Sequence, residues 1–169
     1  MKFNFFITLI GFTFLFINNS SPDTKKVQIK ADKIIVEKAD RTMYLCASGK
    51  IIKTYKIALG ANPEGHKTQL GDEKTPEGIY YIDYRNPNSK FHKSLHISYP
   101  NKDDINHAKK LGVSPGGDIM IHGISKYFSW LGPLHRLWDW TDGCIAVTNS
   151  EMDEIWDLVP IGIVIEIKA

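Results

Sequence analysis

The chain has 169 residues, a length that predicts a single domain. Hydrophobic residues make up 43% of it, which is enough for an ordinary core, and two cysteines are too few for a disulfide framework. The formal net charge is only +2 and Lys and Arg are scattered along the chain, so the sequence gives no case for nucleic-acid binding.

Residues 1–20 differ in character from the rest of the chain. They contain an apolar run over residues 3–17, which is shorter than the ~20 residues of a typical membrane span and therefore predicts a signal peptide. An uncleaved membrane anchor through residues 3–17 is the alternative, because residues 18–21 offer no clear small-x-small cleavage site. Either interpretation predicts export to the periplasm or cell envelope, with residues 21–32 as a linker and residues 33–169 as one domain.

Short apolar runs separated by turn residues predict a protein built mostly of strands. Six runs are rich in β-branched and aromatic residues and are bounded by Gly, Pro, Asp or Ser. The first three are joined by short turns and predict a meander. The predicted strands are 34–38, 42–47, 51–59, 79–84, 95–99 and 161–167.

Two short helices complete the prediction. Asp103 is a potential N-cap for a helix that runs to Leu111, and Gly112 follows as a C-terminal signal. Thr148 and Glu151 have the spacing of a capping box, which predicts a helix from there to about residue 158. The expected fold class is mostly β, either a β-sandwich or a mixed sheet, with two short helices.

Two residues combine into a recognisable chemistry. Cys144 follows Gly143 and precedes a β-branched run, so the cysteine is expected at the tip of a turn that enters a strand. His122 ends another apolar run and precedes Gly123, which places it where a buried strand meets a loop. A thiol and an imidazole are the minimal groups for acyl transfer, since the histidine takes the thiol proton and the sulfur attacks a carbonyl.

Several ordered motifs surround these two residues, and together they carry a family resemblance. From residue 33 to residue 169 the chain resembles the L,D-transpeptidase catalytic domain of the YkuD type. No single motif is specific, but all of them in this order are hard to obtain by accident. The motifs are residues 41–45, 71–72, 75–78, 95–100, 116–123 and 143–145.

The resemblance implies an activity and a set of roles. It implies that the substrates are peptidoglycan stem peptides, that Cys144 is the nucleophile and His122 the general base, and that no metal or organic cofactor is needed. The carbonyl of Gly123 would hold the imidazole in the useful tautomer. Backbone N–H groups near Gly143 and Cys144 would be the natural donors to an oxyanion.

The chain departs from the usual signature at two positions. The pair before Gly143 is Thr141-Asp142, where the family has Ser or Thr followed by His, and Ala146 stands where an arginine often occurs. We expect the Asp142 carboxylate to raise the pKa of a neighbouring imidazole or of the thiol. His135 and Arg136 are the candidates to replace the missing histidine and cation.

Residues 124–140 are expected to form a loop or lid over the substrate. Its aromatic side chains, Tyr127 and Trp140 among them, would line a groove for the sugar-peptide substrate. Arg136 would pair with a stem carboxylate, because its planar fork matches two oxygens. The predicted substrate-binding residues are Tyr127, His135, Arg136, Trp140, Thr141 and Asp142.

Four functions remain open at this point. The first is transfer, in which a thioester at Cys144 is attacked by an amine; with water as acceptor the enzyme is instead an L,D-carboxypeptidase or amidase. A non-catalytic wall-binding module is favoured by Asp142 and Ala146, although a binder has no need of a cysteine beside a histidine. A zinc site built from His122, His135, Asp142 and Cys144 has suitable residue types but no familiar spacing.

Three further residues have structural interpretations. Cys46 alternates within a predicted strand, which is typical of a small buried residue. Asp72 and Thr75 lie in a region of strong turn signals, so we expect them to organise the turn and not to react.

Overall fold

The computed structural model describes Met1 and residues 29–169. The predicted signal peptide or anchor, and most of the predicted linker, lie outside these residues. Among residues 29–169, no helix has both the length and the apolar character needed to cross a bilayer. The strands are β1 (Lys33–Glu37), β2 (Thr42–Ala47), β3 (Lys50–Lys56), β4 (Gly78–Ser89), β5 (His92–Ile97), β6 (Met120–His122), β7 (Ile145–Ala146) and β8 (Val164–Lys168).

The eight strands form one curled, mixed sheet in the order β3-β2-β1-β8-β4-β5-β6-β7. The β1–β8 and β6–β7 pairs are parallel, and the other neighbours are antiparallel. Strand β4 joins the two halves, since it pairs with β8 at its start and with β5 along its remainder. The predicted mostly β fold with a mixed sheet is therefore confirmed.

The chain after β3 brings the two edges of this sheet together. Ala58 pairs with Ala146 of β7, with N–O distances of 3.0 and 2.8 Å for the two backbone hydrogen bonds. Gly60 forms a parallel bridge with Thr141. These bridges tie the segment around residue 144 to the opposite edge of the sheet, so the residues before β7 are held by backbone on both sides.

Two α-helices accompany the sheet, α1 (Lys102–Leu111) and α2 (Asn149–Leu158). A 3-10 segment, Ser129–Leu137, is kinked at Gly132, whose backbone is not helical. Helix α2 buries Met152, Ile155 and Leu158 at helical spacing. Its predicted capping box is present, because the Thr148 side chain accepts from the Glu151 N–H and the Glu151 side chain accepts from the Thr148 N–H.

The start of α1 differs from the prediction. Asn101 is the N-cap, and its side chain accepts from the N–H groups of Asp103 and Asp104. Asp104 reaches back to the Asn101 N–H and completes a capping box. Asp103 instead lies in the first turn, where a carboxylate also stabilises the helix through its dipole. Gly112 caps the C-terminus with a left-handed φ of 69°, as predicted.

Some strand bounds also differ from the prediction. Strand β4 continues to Ser89, well past the expected end at residue 84, because register shifts between Asn86 and Ser89 accommodate Pro87 without a ladder N–H. Strand β8 begins at Val164 and not at residue 161.

Three side chains have the structural places expected of them. Cys46 is a free and buried residue of β2. Asp72 accepts from the backbone N–H groups of Thr68, Gln69 and Lys74 and therefore organises its turn. Thr75 is fully buried and accepts from the Gly60 N–H, which links that turn to the segment after β3.

Candidate active site

The parallel pair β6–β7 brings Cys144 and His122 to one face of the sheet. His122 lies opposite Ala146 in this pair, and continuing the register by two residues puts Cys144 opposite Met120. Side chains alternate along a strand, and residues opposite each other share a face. The thiol and the imidazole are therefore diagonal neighbours across two adjacent strands.

The His122 imidazole is almost fully buried and has a fixed tautomer. Its Nδ1 lies 2.6 Å from the carbonyl oxygen of Gly123. Because a carbonyl can only accept, Nδ1 carries the proton and Nε2 is left as a proton acceptor. The ring is also held by Phe91 and Trp140, whose ring centroids lie 4.6 and 5.8 Å from its own.

Gly123 is required by close packing at the end of β6. A Cβ at this position would lie 2.5 Å from Oδ1 of Asn149 and 3.1 Å from the carbonyl oxygen of Phe91. The same Asn149 oxygen accepts from the Ile124 N–H at 2.6 Å. The turn that carries the His122 acceptor is therefore fixed by a side chain at the start of α2.

The turn before β7 presents Cys144. Gly143 has φ of +121°, and a Cβ there would lie 2.5 Å from the carbonyl oxygen of Lys74, so only glycine fits. The buried Thr141 closes the turn, since its hydroxyl donates to the Cys144 carbonyl at 2.7 Å and accepts from the Gly143 N–H at 3.2 Å. The N–H of Gly143, which the sequence suggested as an oxyanion donor, is therefore already engaged.

The surroundings of Cys144 disfavour the thiolate form of its side chain. Its Sγ donates to the carbonyl oxygen of Asp118 at 3.5 Å. Burial raises the pKa of the thiol to about 11, and the negative charges of Asp142 and Asp118 act in the same direction. A hydrogen bond from the Met120 backbone and the positive charge of Lys67 oppose this rise without overcoming it.

Burial also lowers the pKa of His122, although the hydrogen bond to Gly123 acts in the opposite direction. Both groups are therefore neutral in the resting protein at pH 7. An imidazolium beside Cys144 would enlarge the thiolate fraction of the thiol, but the desolvation of both groups acts against such an ion pair.

His135 and Arg136 lie in the 3-10 segment, and each side chain is engaged with another residue. His135 is 1% exposed, and its Nδ1 accepts from the Trp140 indole N–H at 3.3 Å. Burial lowers the pKa of His135 to about 4. Arg136 forms an ion pair with Glu151 of α2, so binding a stem carboxylate would require it to leave that partner. To replace the missing histidine and cation, the two side chains would have to leave these partners.

An apolar groove of about 1020 Å³ lies behind the imidazole. Phe91 and Trp140 line it and separate it from His122, and Cys144 is not among the residues that line it. Of the predicted substrate-binding residues, Tyr127, His135 and Trp140 line this groove. Arg136 does not line it, and Thr141 and Asp142 lie in the turn of Cys144 instead.

A metal site receives no support within residues 29–169. No group of three or more His, Cys, Asp or Glu side chains in this part of the chain is arranged to hold an ion. The zinc alternative built from His122, His135, Asp142 and Cys144 therefore has no ligand set there.

Sequence reasoning missed several residues that shape the site. Phe91 stacks on the catalytic candidate His122, and no local signal marks it, because it lies in the turn between β4 and β5. Asn149 was noticed only as part of the capping box. Lys67, which is buried in an ion pair with Asp72, is the cation that acts on the thiol.

The sequence and the structure were compared with known proteins. A model of the YkuD family, the L,D-transpeptidase catalytic domain, matches residues 31–167. YafK from Escherichia coli K12, which is named as a provisional L,D-transpeptidase, is 28% identical over 152 residues, covering 84% of this chain and 54% of YafK. The chain thus spans about half the length of the curated relative that it matches.

Solved structures of similar fold include two proteins of comparable identity. The helical cell shape determining protein Pgp2 from Campylobacter jejuni matches with a TM-score of 0.62 and 27% identity, over 83% of this chain and 48% of that one. Bd1075 from Bdellovibrio bacteriovorus matches with a TM-score of 0.55 and 26% identity, also over 83% of this chain and 48% of that one. With the family model covering nearly all of residues 29–169, the chain belongs to the YkuD family of L,D-transpeptidase catalytic domains.

Proposed function

We propose that this protein is a cysteine acyltransferase that carries out L,D-transpeptidation on peptidoglycan stem peptides in the cell envelope. The observation that carries the proposal is the shared face of Cys144 and His122, with Nδ1 of the imidazole bound to the Gly123 carbonyl. With Nδ1 engaged by the Gly123 carbonyl, Nε2 is the nitrogen that serves as the general base for the thiol in this proposal. Membership of the family and the cell-shape role named for Pgp2 support the substrate class.

The proposed cycle has two acyl-transfer steps. Sγ of Cys144 attacks the carbonyl of the third residue of a stem tetrapeptide while Nε2 of His122 takes the thiol proton. The C–N bond to the terminal D-alanine breaks, and the imidazolium returns the proton to the departing amine. An amine from a second stem attacks the thioester and forms a new amide, its proton passes to Nε2, and the thiolate leaves and is reprotonated.

The neutral resting state sets the order of events in this proposal. With the thiol pKa raised to about 11 and the imidazole pKa lowered, burial favours the neutral pair over an ion pair. The thiol proton therefore moves as the carbon–sulfur bond forms, when negative charge passes from sulfur to the carbonyl oxygen. A neutral thiol is also less exposed to oxidation than a thiolate, which suits a protein that acts outside the cytoplasm.

An oxyanion at the attacked carbonyl needs hydrogen-bond donors near the sulfur. Because the Gly143 N–H donates to Thr141, the N–H of Cys144 is the first candidate donor at this turn. Thr141 acts by holding the turn, since its hydroxyl bonds to both Gly143 and Cys144. Asp142 is exposed next to the thiol and would repel an approaching carboxylate, which favours stems that present a cation or an amide there.

The acceptor decides between transfer and hydrolysis. The test is to incubate the purified full chain with defined tetrapeptide muropeptides and to measure the products by mass. We expect new cross-linked dimers from the wild type and from Cys46→Ala, and none from Cys144→Ala. Release of D-alanine without dimers would replace transfer by carboxypeptidase activity, and unchanged muropeptides with the wild type would refute the enzymatic proposal.

A further inference from the structure

Six large apolar side chains of the lid are at least half exposed, and we call this set the lid ridge. Trp130 and Leu137 are 76% and 74% exposed, and the others exceed half. Single exposed apolar residues are normal on a protein surface, but six of them within the twelve residues 127–138 point to an interaction site. The lid ridge consists of Tyr127, Phe128, Trp130, Leu134, Leu137 and Trp138.

The segment that carries the lid ridge contains no carboxylate, and the two acids beside it, Asp139 and Glu151, are paired with arginines. No carboxylate occurs between residues 124 and 138, and Arg136 is occupied by Glu151 of α2. Lys126 lies within the ridge segment, and Lys90 joins it at the rim of the adjacent groove. The described residues that line this groove include no Asp or Glu. An anionic partner therefore complements this surface.

The chemistry of the ridge argues against a sugar as its partner. Sugar hydroxyls need carboxylates and amides as hydrogen-bond partners, and Asn149 supplies the amide among the described lining residues. Exposed leucines add apolar area without any polar handle. The ridge instead has the composition of a surface that lies in a membrane interface, with Trp and Tyr at the boundary, leucines beyond them and lysines beside them.

The backbone presents the ridge on a fixed support. In a 3-10 helix, residues three apart lie on one edge, so Leu134 and Leu137 project together. Neither of them lines the groove behind His122. The segment is held to the domain by the Arg136–Glu151 ion pair and by the hydrogen bond between Trp140 and His135. The leucines thus form an outer edge that is separate from the groove.

We propose that the lid ridge docks the domain on the surface of an anionic lipid bilayer. Trp130 and Trp138 lie at the headgroup level, Leu134 and Leu137 reach the acyl boundary, and Lys126 meets lipid phosphates. If residues 3–17 remain as an anchor, the fifteen residues from 18 to 32 hold β1 within at most about 50 Å of the membrane. This inference stands apart from the proposed function, since docking needs neither Cys144 nor a stem peptide.

The test is tryptophan quenching with the full chain reconstituted into vesicles. The vesicles contain phosphatidylethanolamine and phosphatidylglycerol with brominated acyl chains. These chains quench the fluorescence of a tryptophan only when it is in contact with the bilayer. We expect quenching in the wild type and weaker quenching in vesicles without phosphatidylglycerol. In Leu134→Ser/Leu137→Ser, the docking equilibrium should fall by roughly tenfold or more for each leucine, and quenching should fall with it.

A matched variant controls for the loss of apolar area. Ile51 and Ile161 are similarly exposed, at 59% and 56%, but lie outside the ridge, so Ile51→Ser/Ile161→Ser should retain wild-type quenching. Both variants change exposed side chains and should keep the wild-type melting temperature and the wild-type turnover of soluble muropeptides.

Three results would overturn the docking proposal. The first is the absence of quenching in the wild type, and the second is equal quenching in the wild type and the double leucine variant. The third is leucine-dependent self-association in sedimentation velocity without quenching, which would assign the ridge to a second copy of the chain. Failure of muropeptide turnover alone would refute the proposed function and leave docking intact.

Discussion

The ionisation of Cys144 gives a quantitative prediction for its reactivity. With the pKa of the thiol raised to about 11 by burial, about one molecule in ten thousand carries a thiolate at pH 7. An ordinary cysteine of pKa about 8.5 is about 3% ionised at that pH, roughly 300 times more. A more basic thiolate is intrinsically more nucleophilic, with a Brønsted slope of about 0.4 to 0.5, which recovers a factor of roughly 10 to 20. Alkylation of Cys144 should therefore be about 20 times slower than that of a free thiol.

The assay is the rate of iodoacetamide modification between pH 6 and pH 10. Peptide-level mass spectrometry separates Cys144 from the buried Cys46. We expect the logarithm of the Cys144 rate to rise by about one for each pH unit, without a plateau in this range. Asp142→Asn removes a charge that raises the thiol pKa, so it should accelerate modification at pH 7, whereas Asp103→Asn on α1 should leave the rate unchanged.

A plateau at or below pH 8 would refute this reasoning. It would mean that the thiolate is stabilised in the folded protein, so that an ion pair with His122 exists before substrate binds. The proposed coupling of proton transfer to attack would then be wrong. An unchanged rate in Asp142→Asn would show that burial alone sets the pKa of the thiol.

Three further predictions concern the framework of the site. Gly143→Ala should lower the free energy of unfolding, measured by denaturant titration, by about 3 kcal/mol or more, because the new Cβ meets the Lys74 carbonyl. Gly49 also has a positive φ, +74°, but has open space around it, so Gly49→Ala should cost only about 1 kcal/mol. Equal losses in the two variants would contradict the clash. Asp72→Asn should lose about 3 to 5 kcal/mol, since it leaves the buried Lys67 unpaired, and a loss below about 1 kcal/mol would contradict that role. The pKa of His135 is lowered to about 4, so the folded state favours the neutral ring, and stability present above pH 6.5 is lost as pH falls towards 4. The loss of stability is up to about 3 kcal/mol, and less where solvent screens the ring. His135→Gln should reduce the difference in unfolding free energy between pH 7 and pH 4.5, and the difference that remains is due to His122. An unchanged difference would contradict this role of His135.

Local patterns in the sequence were sufficient where neighbouring residues decide the structure. The bounds of β2 follow from the turn residues on either side of it, and the capping box of α2 follows from a four-residue spacing. Both were predicted correctly. The predicted N-cap of α1, Asp103, lies two residues after the actual N-cap, Asn101, because both residue types can cap a helix and the sequence does not distinguish them here. The end of β4 was wrong because pairing with β5 extends the strand past Pro87.

The sequence alone identified the candidate catalytic residues, since the glycine before Cys144 and the glycine after His122 can be read directly from it. The protonation of these residues was decided by the tertiary structure, because it depends on burial by groups far away in the chain. Phe91 and Trp140 enclose the imidazole, Arg136 is taken by Glu151, and the desolvated thiol keeps its proton. Ionisation and access follow from the solvent excluded around a group, and only the packed fold determines how much solvent is excluded.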